Sequence, residues 1–384
     1  MHHDSLRDQF LIDPEVAFLN HGSFGATPRP VFERYQEWQR ELERQPVEFL
    51  GRRFNALMAD ARAALGAYLN TPADSLVFVP NATMGMNIVA RSIALEPGDE
   101  VVSTDHEYGA IDRMWRVVCG DARAIYKPVS VPLPVTTHAD VVERIWSAVT
   151  PRTRVLSVSH ITSRTALRLP VEELCRRARE AGIVSVVDGA HAPGQIPVDL
   201  EAVGADFYTA NAHKWMCAPK GSAFLQARPG MDDRLKPLVV GWDMSDMNPT
   251  GSCFLDVQQW TGTRDIAAFL SVPAAIAFQR EKNWPAVRER CRELLAGARE
   301  AVARVTCMPQ ICPDSPDWFT QMAVLELPPG TDGAKLQHEL YDRFKVELPI
   351  GEWNDRVLMR VAVQGYNTQS DLDRLVIGLK ELLV

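Results

Sequence analysis

Asp188 and Lys214 stand 26 residues apart, each just past an apolar run. A carboxylate and an amine so placed can do more than neutralise one another. The first run, Ile183 to Val187, is dominated by β-branched residues and reads as a strand covered on both faces of a parallel sheet. It stops at Asp188-Gly189-Ala190-His191, which puts a carboxylate at the carboxyl end of a buried strand, where α/β sheets hold their ligands. The second run, Asp206 to Ala210, leads into Asn211-Ala212-His213-Lys214-Trp215, and lysines seldom sit deep in a core without a purpose. A plain ion pair is one outcome. The other is a division of labour, in which the amine condenses with a carbonyl and the acid keeps a ring nitrogen protonated.

Pyridoxal phosphate chemistry requires that division. A lysine holds the aldehyde as a Schiff base, and an acid keeps the pyridine cationic so that it can take up electrons from an amino acid's α-carbon. With these residues the chain resembles the class-V aminotransferase family of pyridoxal-phosphate enzymes, and within it the isopenicillin N epimerase-like branch. The resemblance runs from Phe18-Leu-Asn-His-Gly-Ser-Phe-Gly25 to Arg360-Val-Ala-Val-Gln-Gly-Tyr-Asn-Thr368, nearly end to end.

The resemblance implies a role for each matching residue. Lys214 forms the Schiff base and moves protons, Asp188 holds the pyridine nitrogen, and His191 contacts the ring's phenolic oxygen. Asn81, Ala82 and Thr83 form the phosphate turn, to which Asn211 and His213 add contacts, and Tyr108 covers the ring face. Thr162, in His160-Ile-Thr-Ser-Arg-Thr-Ala166, lies beside the phenolic oxygen, while Arg164 stands where a small residue or proline is expected and serves either selectivity or solvent. Asn20 and His21 border the substrate. Arg360 grips its α-carboxylate, with Arg356 as competitor at the strand's solvent end, because a guanidinium offers two parallel hydrogen bonds. Gly262 and Thr263 reach the phosphate of a partner subunit, so a homodimer with shared sites is expected.

Positioning these groups takes a doubly covered sheet. Strands are expected at Ser75–Val79, Glu100–Thr104, Arg123–Val129, Thr153–Ser159 and Ser222–Ala227 besides the two above, the last antiparallel, with helices between them. The expected class is α/β, the fold-type-I pyridoxal-phosphate transferase fold. It has a mostly parallel seven-stranded sheet in a large domain with helices on both faces, and a smaller α+β C-terminal domain. Boundaries are expected at 1–17 for an arm, 18–265 for the large domain and 266–384 for the small one. Helices are read from Pro30 to Leu50, Arg52 to Leu69, Ile266 to Gln279 and Trp284 to Val305, strands at Thr320–Leu327 and Arg356–Val363, and a last helix capped by Thr368 and Asp371. Residues 229–256 have no period and read as a lid or dimer contact.

Composition narrows the partners. A net charge of −8 with no basic block argues against nucleic acid or an anionic membrane surface and for a small molecule, an amino acid. Seven scattered cysteines without a CxxC or Cys/His cluster point to no metal site and to a reducing, cytoplasmic setting, and no apolar run is long enough to span a membrane. No GxGxxG opens a strand-to-helix turn, which lowers a nucleotide-binding reading. A fold-only protein should have lost part of the set Asp188, His191, Lys214 and Arg360. Cysteine desulfurases need a nucleophilic cysteine shortly before the carboxylate arginine, and residues 340–360 hold none. Epimerisation, transamination and C–S lysis of the ergothioneine-pathway type all remain open.

Overall fold

Short apolar runs become strands here because helices cover both of their faces. The computed structural model describes residues 5–242 and 250–383. In chain order the strands are β1 (Ala17–Phe18), β2 (Leu76–Val79), β3 (Glu100–Thr104), β4 (Ile125–Val129), β5 (Thr153–Ser159), β6 (Val184–Asp188), β7 (Phe207–Asn211), β8 (Ala223–Ala227), β9 (Met322–Glu326), β10 (Val346–Glu347), β11 (Ile350–Trp353) and β12 (Arg356–Ala362). Seven of them form one sheet in the order β2-β8-β7-β6-β5-β3-β4, in which only β8 runs antiparallel to its neighbours. The expected α/β class and mostly parallel sheet are therefore observed, and β3 and β5 have the bounds expected from sequence.

Register decides which residues meet. Ser159 pairs with Asp188, Asp188 with Thr209, and Asn211 with Ala223, which also pairs with Val79. The carboxyl ends of β2, β7, β6 and β5 thus line up along one edge, and the turns that follow them converge there. A second sheet, β11-β12-β9, is antiparallel and places Arg360 opposite Val324. The N-terminal segment is held to the C-terminal part of the chain: β1 pairs with β10, Ala362 N–H donates to Leu19 O at 2.9 Å, and Leu6 N–H to Gly365 O at 3.0 Å.

Several boundaries differ from expectation for physical reasons. The helix after Pro28 covers Arg29–Arg44 rather than reaching Leu50, because Pro46 lacks an N–H and excludes helical backbone at Gln45, whose φ is −154°. A π-turn, Glu48–Arg52, leads into the helix Phe54–Leu69. The predicted helix Ile266–Gln279 is broken at Ser271 into Ala267–Leu270 and Val272–Glu281. Within the segment read as irregular, Ser252 caps a helix, Cys253–Gln259, by accepting the Leu255 N–H at 3.3 Å. Residues 243–249 of that segment lie outside the described residues. The helix Gly333–Phe344 and the strands β10 and β11 are additions to the sequence reading.

Candidate active site

A cleft of about 400 Å³ opens at the carboxyl edge of the large sheet, and Asp188, Lys214, Thr83 and Tyr108 are among the residues lining it. Asp188 is buried at the end of β6 and accepts the Ala190 N–H through Oδ1 at 2.9 Å. Burial pushes its pKa up, and the Lys214 charge only partly opposes this. Gly189 lets the turn after it lie flat, since a Cβ there would stand 2.2 Å from the Tyr208 ring.

Lys214 sits beyond β7, its amine inside the cleft. Desolvation pushes its pKa down to about 8; Asp188 raises it and Arg360 lowers it further. Its Nζ lies 3.1 Å from His191 Nε2, and the other nitrogen of that ring accepts the Trp215 indole N–H at 3.2 Å. Burial holds His191 well below the usual imidazole range. The N-terminal turn packs directly on this segment. Gly25 has φ +70°, and a Cβ on it would stand 1.9 Å from His213 O, so only glycine fits there.

At one end of the cleft the helix Ala82–Ser92 points its N-terminus inward. Asn81 caps it by accepting the Met84 N–H at 2.9 Å, and Asn211 Oδ1 accepts the Ala82 N–H at 2.9 Å. Asn211 is therefore committed to holding this turn, and the Thr83 N–H has no partner among the described residues. Such a terminus favours an anion. His213 also lines the cleft, and its Nδ1 pairs with Ser222 O at 3.0 Å.

From β12 of the three-stranded sheet Arg360 reaches toward the same space. Nη1 donates to Ser163 O at 2.8 Å and to Ser163 Oγ at 3.2 Å, and Nη2 donates to Ser23 Oγ at 3.0 Å. No carboxylate is bonded to it among the described residues, Nε is unpartnered, and burial pulls its pKa down to about 10. Arg356 is ion-paired instead, to Glu326 Oε2 at 3.0 Å. A buried acid without a cation at hydrogen-bond distance, a half-buried guanidinium without an anion and a lysine of lowered basicity together fit an amino acid bound beside pyridoxal phosphate.

Not every expected residue is gathered. Thr162 turns away from the cleft: its hydroxyl contacts Thr165 Oγ1 at 2.7 Å and accepts the Leu167 N–H, so its neighbour Ser163 faces inward in its place. Asn20 bonds Glu347 at 3.1 Å and lines an adjacent groove. His21 is fully buried between Tyr366 OH and Lys214 O, each at 3.0 Å, and supports the lysine from behind. Gly262 and Thr263 are not among the residues lining this cleft. Arg164 is exposed, with Nε donating to Glu107 O at 3.2 Å. Four residues enter that the sequence reading does not assign: Ser23, Ser163, Glu107 and Trp215. Glu107 is buried, accepts hydrogen bonds from Thr104 and Ser159, and is pushed up to about 7 by burial, with Asp188 adding to the shift.

A mostly parallel sheet carrying a lysine and an acid beyond adjoining strand ends defines a fold-type-I enzyme of pyridoxal phosphate. The family described as Aminotransferase class-V matches residues 24–375, and the chain belongs to that family. It is 38% identical over 388 residues to the isopenicillin N epimerase of Amycolatopsis lactamdurans, covering 98% of this chain and 97% of that protein. Against the isopenicillin N epimerase of Streptomyces clavuligerus the identity is 35%, covering 99% and 98%. Among solved structures it superposes on the cysteine desulfurase CsdA of Escherichia coli with a TM-score of 0.80 at 22% identity, covering 98% of this chain and 97% of that one.

Proposed function

We propose that this enzyme removes and returns the proton on the α-carbon of an amino acid, as an isopenicillin N epimerase-like enzyme. The observation that carries this reading is a cleft holding a lysine whose basicity is lowered to about 8, with a half-buried arginine beside it that bonds the cleft-lining Ser23 and Ser163 and no anion among the described residues. When bound, pyridoxal phosphate supplies the sink for the electron pair left on that carbon.

This chain's residues divide the remaining work. Arg360, fixed by Ser23 and Ser163, takes the α-carboxylate and turns the α-carbon toward Lys214. Lys214 Nζ is the atom that accepts the proton from its own face of the α-carbon, inversion needs the proton to return on the opposite face, and a pKa near 8 keeps both forms of the amine accessible near neutrality. Asp188 is the partner for a cationic ring nitrogen. The Thr83 N–H at the helix start takes the phosphate, His191 borders the phenolic oxygen, and Tyr108 covers the ring. Gly262 and Thr263 serve a second copy of the chain, which makes the working unit a homodimer with shared sites.

Cysteine chemistry of the desulfurase kind draws no support here. Among the described residues no cysteine lines the cleft, and Cys217, close in sequence to the lysine, is buried with its thiol pushed far up by desolvation.

The reading is tested with an amino-acid panel in heavy water. The loaded enzyme is followed for α-proton exchange, D-isomer, keto acid, and released thiol or ammonia. Exchange with inversion supports the epimerase. Keto acid formed by amino-group transfer, or pyruvate with a released thiol, replaces it with transamination or β-elimination. No exchange with any amino acid contradicts α-carbon chemistry altogether.

A further inference from the structure

We propose that Trp215 is a positioning residue: its indole N–H fixes the tautomer of His191, so that the imidazole presents Nε2–H rather than a lone pair to the amine of Lys214. The inference rests on Lys214 being the reacting amine.

The indole nitrogen can only donate. It lies 3.2 Å from His191 Nδ1, so Nδ1 must accept, and the single proton of the neutral ring sits on Nε2. That Nε2–H points at Lys214 Nζ across 3.1 Å. An ammonium has three donors and no acceptor, whereas a free amine has a lone pair to receive the hydrogen bond. The contact is therefore complete only when Lys214 is unprotonated, the state in which an amine attacks a carbonyl. The opposite tautomer, or an imidazolium, would set two N–H groups against each other at the indole.

The surroundings leave Trp215 little freedom to yield. Its side chain is fully buried and packs against the His21 ring with centroids 5.0 Å apart. Its carbonyl accepts from Gln279 Nε2 at 2.9 Å. The charged and titratable groups facing the pair are Asp188 on the β6 side, Arg360 on β12, and His213 and His21 beside the imidazole. Of these, Asp188 alone favours an ammonium. Trp215 tilts the balance the other way without bringing a further charge into the cleft.

The test follows the rate at which cofactor-free, full-length chain takes up pyridoxal phosphate as pH is varied, read by visible absorbance. Wild type should reach half its limiting rate near pH 8. Trp215→Phe keeps an aromatic ring but frees Nδ1, so His191 Nε2 can accept from the ammonium. Its midpoint should rise by about one unit, making uptake about tenfold slower below the midpoint. In parallel, ring-¹⁵N-histidine labelling, with the resonances assigned through His191→Gln, should show Nε2–H alone at His191 in wild type and a mixture in Trp215→Phe. An Nδ1–H or imidazolium signal in wild type overturns the proposal even where Trp215→Phe does not fold. A midpoint and a tautomer both unchanged in folded Trp215→Phe also overturn it. Lys214→Ala distinguishes the two failures. If that variant develops the wild-type absorbance, the assignment of the lysine falls. If it does not, while Trp215→Phe behaves as wild type, only the role of Trp215 falls.

Discussion

The two edges of the large sheet treat buried charge in opposite ways. At the amino edge Glu100, the first residue of β3, receives Lys127 at 3.1 Å, Arg152 at 3.3 Å and the Thr150 hydroxyl at 2.6 Å. Burial pushes its pKa up, but the hydrogen bonds from Thr150 and Lys127 prevail and it ends below its ordinary value. Asp206, just ahead of β7, holds Arg228 at 2.7 Å and the Ser185 N–H at 2.9 Å. At the carboxyl edge Asp188 has one backbone N–H, Glu107 has hydroxyls and an N–H but no cation, and Arg360 has no anion. Their pKa values are displaced toward the neutral forms in consequence. One edge completes its own charge pairs and stabilises the fold. The other leaves them for a ligand to complete.

Breaking the comparison at its strongest point means removing the amine. Lys214→Ala should lower turnover by at least about a thousandfold and leave the melting temperature unchanged or higher, since an incompletely paired buried group is lost; a lowered melting temperature would put this lysine with the structural edge. Asp206→Ala should do the reverse. It strands Arg228 and the Ser185 donors at a cost of about 3 kcal/mol, read by denaturant unfolding, while the activity of the folded fraction is retained.

Arg360→Lys sharpens the contrast between a positive charge and a fork of donors. Losing the paired hydrogen bonds to a carboxylate should cost about 2 kcal/mol, seen chiefly as a KM raised by at least tenfold. An unchanged KM would give the carboxylate to another residue. The smallest effect is at Glu107, which in the folded chain holds its proton up to about pH 7 against an ordinary value of 4.5. Between those values the folded state binds more protons than the unfolded, so this group makes stability fall as pH rises through the interval. Glu107→Gln should flatten that decline in melting temperature, and an unaltered slope would contradict the assigned shift.

Much of this arrangement was legible in the sequence, and what was not has identifiable causes. Asp188 and Lys214 announce themselves because a buried strand that ends in a charge is unusual in any fold. Eleven residues, 212–222, separate the end of β7 from the start of β8, a connection too short to carry a crossover helix, which fits antiparallel return. The relation of Trp215 to His191 carries no comparable signal, because a core tryptophan reads the same whether its N–H meets an imidazole or a carbonyl. Ser23 lies 337 residues from Arg360, and only the pairing of the N-terminal segment with the C-terminal sheets brings them together. Thr162 and Ser163 are consecutive hydroxyls on a turn, and which one faces the cleft depends on the internal bond from Thr162 to Thr165. Pro46 and the Asp332 cap, in contrast, are plain boundary signals, and periodicity read without them overextends one helix and passes over another.

The central claim is that Lys214 is the residue joined to the cofactor. Borohydride reduction of the loaded enzyme, followed by proteolysis and mass mapping, should place the pyridoxyl phosphate group on the peptide that carries Lys214. Its appearance on Lys220 or any other lysine, or its absence from every peptide of a fully active preparation, would contradict the account.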